Sequence, residues 1–378
     1  CEASDFAGLD FDGPNDIALI QRGGPPPPAP SCSFAVKAQN AQAAGADAVI
    51  IFNQGDLPTR EALIVGTLGA DSGVTIPVVG ASFADGAALA QAGSTARVRV
   101  IPAETRTDYN VIAEKVGEND SNVVMAGAHL DSVEAGPGIN DNGSGSAALL
   151  ETALLMYKVQ PENTLRFAWW ASEELGLIGS ADYVEGLSEL ELAEIALYMN
   201  YDMVGSPNYI FMVYDADEST FPAPPGVPIP AGSEAIEDLY ESFYTSIGEP
   251  YEDTQFSGRS DYQAFIEEGI PSGGLFTGAE GVKTAEQAAI WGGTAGAQYD
   301  PCYHIACDTY RNVNLKALDI NSDLIAFAML TYAFSTESVN GVEGARVPGA
   351  RVTLPPPAGP QGTFASPGGG DDHGPSVD

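Results

Sequence analysis

Val123-Val124-Met125-Ala126-Gly127-Ala128-His129-Leu130-Asp131-Ser132-Val133 is an apolar run that breaks on a His-x-Asp. A short apolar stretch ending abruptly on polar groups reads as a buried strand that delivers side chains at its carboxyl end. The pattern recurs downstream. Leu165-Arg166-Phe167-Ala168-Trp169-Trp170 is a second buried-strand pattern and precedes Glu173-Glu174; Ile195-Ala196-Leu197-Tyr198-Met199-Asn200-Tyr201 is a third and ends at Asp202. Between the first two, Gly138-Ile139-Asn140-Asp141-Asn142-Gly143-Ser144-Gly145 opens onto a helical stretch from Ala147 to Val159, which Pro161 ends. Strand, acidic loop, helix, strand, paired Glu, strand and Asp is the order of an open α/β sheet whose reactive groups gather at strand carboxyl ends. The expected fold class is α/β, with a central mixed, largely parallel sheet flanked by helices.

Histidine narrows the chemistry. The chain has 3 His against 52 Asp and Glu, so carboxylates fall near any motif by chance whereas imidazoles do not. His304 lies in Cys302-Tyr303-His304-Ile305-Ala306-Cys307, between two of the 4 cysteines. Two imidazoles and three carboxylates suit a pair of zinc ions. His129 and Asp202 are assigned to one ion, Glu174 and His304 to the other, and Asp141 to a bridge between them. Such a pair shares a water whose pKa falls towards neutrality, giving a hydroxide nucleophile. Neighbouring glutamates at a strand end point in different directions, which frees Glu173 to take the proton and pass it to a leaving amine. Each element has a plainer reading: a hydrogen-bonded core His, a helix-capping Asp, a solvated Glu pair. Those readings must explain five coincidences in order, and the site explains them together.

His129-x-Asp131, the Asp141-Asn142-Gly143-Ser144-Gly145 loop, Glu173-Glu174, Asp202 and Tyr303-His304 together resemble the di-zinc aminopeptidase family of secreted bacterial leucyl aminopeptidases. That family also includes glutamate carboxypeptidase, glutaminyl cyclase and the transferrin receptor. The likeness runs from about Thr107 to Ser338, and the ordered set is specific where any single element is weak. It implies the zinc exopeptidase fold, a supporting role for Asp131 behind His129, and a hydrogen bond from Tyr303 to a developing oxyanion. It further implies that Arg259 positions substrate and that Met203, Gly258 and Phe276 line an apolar pocket. Tyr303, Met203 and Phe276 as core packing, and Arg259 as a surface ion-pair partner, are the plainer alternatives.

The first hundred residues read differently, as strand text at Ile17–Gly23, an alanine-rich helix after Ser31, strands near Ala48–Asn53, Ile76–Gly80 and Arg97–Ile101, and a helix near Asp85–Ala92. They resemble the protease-associated domain, a small β-rich module, with Pro25–Pro30 as a polyproline excursion. Its role is either gating of substrate or that of a spacer. The expected division is therefore residues 1–104 for this module, 105–340 for the di-zinc peptidase domain, and 341–378 for a Pro/Gly/Asp-rich tail expected to be disordered, with His373 solvated in it. The chain opens at Cys1 in domain text, so a processed or truncated form is expected; no run reads as bilayer-spanning or as a signal peptide.

Four cysteines point to an oxidising compartment, hence to secretion, with Cys302 and Cys307 bridged across His304 and Cys1 with Cys32 stapling the first module. Cys302 and Cys307 as extra metal ligands is the disfavoured alternative, because carboxylates already complete both sites. A net charge of −37 repels phosphates and excludes nucleic acid as a partner. Asp319 and Asp323, at helical spacing, read either as a calcium site or as an exposed helix face, and the second is preferred. The expected protein is a monomeric zinc aminopeptidase acting on peptide substrates, with no membrane partner, that releases large apolar N-terminal residues such as leucine. The alternatives are a carboxypeptidase or dipeptidase of the same family and a non-enzymatic, receptor-like member.

Overall fold

The computed structural model describes residues 2–11, 13–24, 32–56, 60–64, 66–69, 72–100, 106–224, 226–349 and 352–361. It divides into two compact units after Arg106. In the first, β1 (Ile17–Gln21), β2 (Ala48–Phe52) and β3 (Val78–Ala81) form a parallel three-stranded sheet in that order. Helices α1 (Phe34–Ala43) and α2 (Phe83–Leu89) begin at Ser33 and Ser82, whose hydroxyls accept the N–H of Val36 and of Asp85. All of β2 is buried, as expected of the central strand of a covered parallel sheet. The strand expected near Arg97–Ile101 is absent over residues 97–100, which have no regular secondary structure. The Pro25–Pro30 excursion and the Cys1–Cys32 pairing fall on residues outside those described.

The second unit is a seven-stranded mixed sheet ordered β4-β6-β5-β7-β10-β8-β9. Its elements are β4 (Val111–Lys115), β5 (Asn119–His129), α3 (Gly143–Met156), β6 (Asn163–Trp170), α4 (Ile178–Glu185), α5 (Glu189–Glu194), β7 (Ile195–Tyr201), β8 (Met212–Tyr214), α6 (Ser233–Ile247), β9 (Glu252–Thr254), α7 (Gln263–Glu267), β10 (Ser272–Phe276), α8 (Ala285–Trp291), α9 (Leu315–Phe334) and α10 (Glu337–Asn340). β5, β6, β7 and β10 run parallel; β4 and the β8–β9 pair lie antiparallel to this core. Register decides where chemistry can gather. His129 pairs with Trp170, Gly127 with Asn200, and Tyr201 with Leu275, so four strands release their chains at one edge.

Two apolar layers hold the sheet. Val124, Phe167, Leu197 and Phe211 pack under α3, α6 and α9 on one face, while Trp170, Tyr198 and Tyr214 pack with α7 side chains such as Phe265 on the other. The α3 helix starts four residues earlier than the apolar pattern suggested, because Asn142 caps it by accepting the Gly145 N–H at 2.9 Å. Only glycine fits at 145, where a Cβ would collide with the Tyr201 carbonyl.

Two expectations are corrected. Leu315–Phe334 is, by length and composition, apolar enough to cross a membrane, contrary to the reading that no run is; half of its apolar window is buried in the core, against α3 and α6. The tail read as disordered from residue 341 is anchored over part of its length. Ala345 donates to the Phe334 carbonyl at 2.8 Å, Ala358 to Thr245 Oγ1 at 3.0 Å, and Gly359 and Gln361 to the Tyr251 hydroxyl and carbonyl, each at 2.9 Å. Proline and glycine leave a chain without secondary structure, yet its N–H groups can still be satisfied by a neighbouring surface. Residues 362–378, His373 included, lie outside those described.

Candidate metal centre

The common strand edge brings together the five residues expected to hold metal. Asp141 is the hinge of the arrangement. Its Oδ1 lies 3.2 Å from His129 Nε2 and its Oδ2 lies 3.1 Å from His304 Nε2. Asp202 Oδ1 stands 3.2 Å from His129 Nε2, and Glu174 Oε2 stands 2.9 Å from His304 Nε2. Ligands of one tetrahedral zinc at about 2.0–2.2 Å are separated by about 3.3 Å, so both clusters have the spacing the ion requires. His129, Asp141 and Glu173 are each at most 1% exposed. Four carboxylates around two imidazoles leave a net negative centre even with both rings protonated, and such a centre is suited to divalent cations. The residues present fit a zinc pair.

The same field acts on both imidazoles. Burial alone would lower the His129 pKa, but Asp202 and Glu173, with Asp131 and Asp141, hold it well above the usual imidazole value. His304, also opposed by burial, is raised to about 9 by Asp141 and Glu174.

Glu173 is fully buried, with Oε2 3.9 Å from His129 Nε2. Asp131 organises the adjacent loop: its Oδ1 accepts the Glu173 N–H at 3.0 Å and its Oδ2 the Glu174 N–H at 3.2 Å. Its carbonyl lies 3.1 Å from His129 Nδ1, the contact that sets the tautomer and turns Nε2 towards the carboxylates.

The second histidine rides on a braced loop. Cys302 and Cys307 form a disulfide with Cα atoms 5.2 Å apart, spanning His304, so neither sulfur is an extra ligand. His304 takes a positive φ of 59°, and the Tyr303 ring stacks on the imidazole with centroids 3.9 Å apart. Of the residues implied by resemblance, Gly258 (φ 81°) donates its N–H to the Tyr262 hydroxyl at 2.9 Å. Half-buried Arg259 follows it and precedes Ser260, whose hydroxyl donates to Asp202. Met203 and Phe276 are buried in a cluster with Ile210, Met212, Ala279 and Tyr299, against which Tyr303 packs. Asp319 and Asp323 are exposed on α9 and belong to none of the candidate metal-binding groups among the described residues.

Two networks escaped the sequence reading. Asp308 accepts the Asn140 N–H at 2.9 Å and the Asp141 N–H at 3.1 Å, and Asn312 Nδ2 donates to both Asp308 and Asp300. Asp300 also accepts from Asn140 Nδ2 and from the Cys302 N–H, tying the Asp141 loop to the His304 loop. A second relay runs from Trp170 Nε1 to the Tyr198 hydroxyl, thence to Asn200, Ser260 and Asp202, with links of 2.8 to 3.0 Å.

This architecture, a mixed α/β sheet with paired carboxylate–imidazole clusters at its strand ends, defines a metallopeptidase class. The chain belongs to peptidase family M28, whose profile matches residues 110–329, and a PA-domain profile matches residues 1–89. An aminopeptidase of Pseudomonas aeruginosa is 49% identical over 343 residues, 90% of this chain and 61% of that protein. Leucine aminopeptidase 2 of Trichophyton equinum is 42% identical, covering 99% of this chain and 71% of the relative. Among solved structures, the aminopeptidase of Aneurinibacillus sp. strain AM-1 superposes with TM-score 0.64 at 30% identity over 94% of this chain and 75% of its own. A zinc aminopeptidase from Bacillus subtilis gives 0.61 at 28% identity, covering 91% and 75%. The chain spans about 61% of the length of the Pseudomonas relative.

Proposed function

We propose that this protein is a secreted aminopeptidase that uses two zinc ions to hydrolyse N-terminal residues, preferentially large and apolar, from peptides. The observation that carries the reading is Asp141, whose two oxygens face two different imidazoles with a second carboxylate beside each. Relatives named aminopeptidase and leucine aminopeptidase, and the structurally similar zinc aminopeptidase from Bacillus subtilis, support it.

In this reading His129, Asp202 and Asp141 hold one ion, and His304, Glu174 and Asp141 the other. When bound, zinc supplies an activated water near neutral pH and polarises the scissile carbonyl. Glu173, buried and held by Asp131 through its backbone, takes the proton of the attacking water and returns it to the leaving amine. Tyr303 donates a hydrogen bond to the carbonyl oxygen, and Arg259 positions the substrate. Met203, Gly258 and Phe276 line the apolar pocket that favours leucine-like side chains. The Cys302–Cys307 disulfide supports an oxidising, extracellular setting. The acidic surface, net charge −37, leaves peptides rather than nucleic acid as partners of a monomer.

A chromogenic leucine amide tests this against its N-acetylated form. Cleavage of the free amine alone, abolished by chelation and restored by zinc, is expected. Turnover of C-terminally free, N-blocked peptides would favour the carboxypeptidase alternative. No turnover, with about two zinc bound per chain, would leave a receptor-like protein.

A further inference from the structure

A second set of acids lies away from the zinc centre, where the loop after β8, helix α6 and strand β9 meet. Glu237 (4% exposed) and Glu241 (7%), one turn apart on α6, and Asp253 (5%) on β9 each offer a carboxylate oxygen, and these oxygens lie within 4.8 Å of one another. Asp215 and Asp217, on the loop after β8, form a further group with Glu237 under the same limit. Calcium binds oxygens at about 2.3–2.6 Å, so ligands of one ion lie up to about 5 Å apart.

Spacing alone would describe only an acidic cluster. The decisive observation is Asp253 Oδ1, which is buried with no hydrogen-bond donor among the described residues. Glu241, itself an acid, also meets the Asp253 carboxylate. Only a proton or a cation can sit between two such groups. Five acids, in two groups that share Glu237, carry more negative charge than one shared proton offsets, and a divalent cation offsets more of it. Glu237 Oε2 accepts the N–H groups of Ala216 and Asp217 at 2.9 and 3.0 Å, and Asp215 accepts those of Ser219, Thr220 and Phe221. Thr220 and Ser219 bring hydroxyls to Asp253 Oδ2, adding neutral oxygens at the rim. With no cation, burial and then neighbouring carboxylates push Glu237 up to about 9 and Glu241 up to about 8.

We propose that Glu237, Glu241 and Asp253 form a calcium site that latches the α6 helix to the short edge strand β9 and the loop after β8. An all-oxygen, carboxylate-rich donor set drawn from helix and strand matches a hard cation of flexible coordination and lacks the nitrogen or sulfur that zinc prefers. The site does not depend on the zinc reading: it shares no residue with that centre, and its role is to hold structure.

The test uses the full chain, zinc-loaded at fixed free zinc, in calcium-free buffer, with calcium chloride as the probe. Isothermal titration should show one calcium per chain. At a calcium concentration about 100 times its Kd, the folding equilibrium constant should rise about 100-fold, seen as a higher Tm. The double variant Glu241→Gln, Asp253→Asn should lose calcium affinity at least tenfold and lose the calcium-dependent gain in Tm. Because its two amides can bond to each other, it should fold in calcium-free buffer with a Tm no lower than wild type; single Asp253→Asn is read in the same way should the double variant fail to fold. Asp319→Asn with Asp323→Asn should keep the full response. No calcium binding by the wild type, or an equal response from wild type and the Glu241/Asp253 variants, would overturn the proposal.

Discussion

Asp308→Asn probes how the metal centre is held together without touching any residue that would bind metal. The Asp308 carboxylate accepts three donors: the Asn140 N–H at 2.9 Å, the Asp141 N–H at 3.1 Å and Asn312 Nδ2 at 3.1 Å. An asparagine keeps one acceptor oxygen and turns an NH2 group towards the other donors. If the oxygen stays with Asn140, the Asp141 N–H loses its partner in a buried site. Hydrogen bonds to charged groups contribute about 1.5–3 kcal/mol each, and 1.4 kcal/mol is tenfold in an equilibrium constant. The expected loss of zinc affinity is therefore about 10- to 100-fold, the range seen when residues supporting metal ligands are removed. Competition with a chromophoric zinc chelator gives the affinity, and thermal unfolding of the zinc-free protein gives the separate cost to the fold. A variant that loses stability while binding zinc as tightly as wild type would refute the idea that Asp308 positions Asp141.

Glu173→Gln should lower kcat for a leucine amide by about 10²- to 10⁴-fold with zinc content unchanged, as expected for loss of a proton carrier; equal kcat would remove Glu173 from the reaction. Gly127→Ala would drive a Cβ into the Tyr198 hydroxyl and Trp170 Nε1, destabilising the fold by about 1–3 kcal/mol in a urea titration. Glu252, pushed up to about 7 by burial, contributes stability that is complete below its unfolded value near 4.5 and is lost as pH rises through about 7. Glu252→Gln keeps the bond to Gln287 and should flatten the fall in Tm across that window; an unchanged slope would assign the pH dependence to other groups.

Why the ligands could be read from sequence and their supports could not is a matter of rarity and range. His129 and His304 stand out because imidazole is scarce here, and Asp141, Glu174 and Asp202 follow strand patterns that β5, β6 and β7 reproduce with small shifts in boundary. Asp308 and Asp300 carry no such signal. Each is one of 52 acids, and the bonds of Asp308 to Asn140 and Asp141 join residues about 168 positions apart. The α3 start was misplaced because a Gly-Ser-Gly opening looks like loop until Asn142 is seen capping it. The tail misled for a related reason, since composition reports that a segment lacks its own core and says nothing of the surface it can lie on.

Trp170 and Trp169 give the centre a built-in optical signal. The Trp170 indole N–H reaches Asp202 through Tyr198, Asn200 and Ser260, and that of Trp169 bonds the Ser146 carbonyl, whose own hydroxyl donates to the His129 carbonyl. Two of the chain's 3 tryptophans are thus hydrogen-bonded, through intermediates, to the two residues that would hold one ion. Metal loading should therefore change tryptophan emission in a stopped-flow instrument with no dye added, and unchanged emission during metal exchange would show that these links do not carry the ion's field to the indoles.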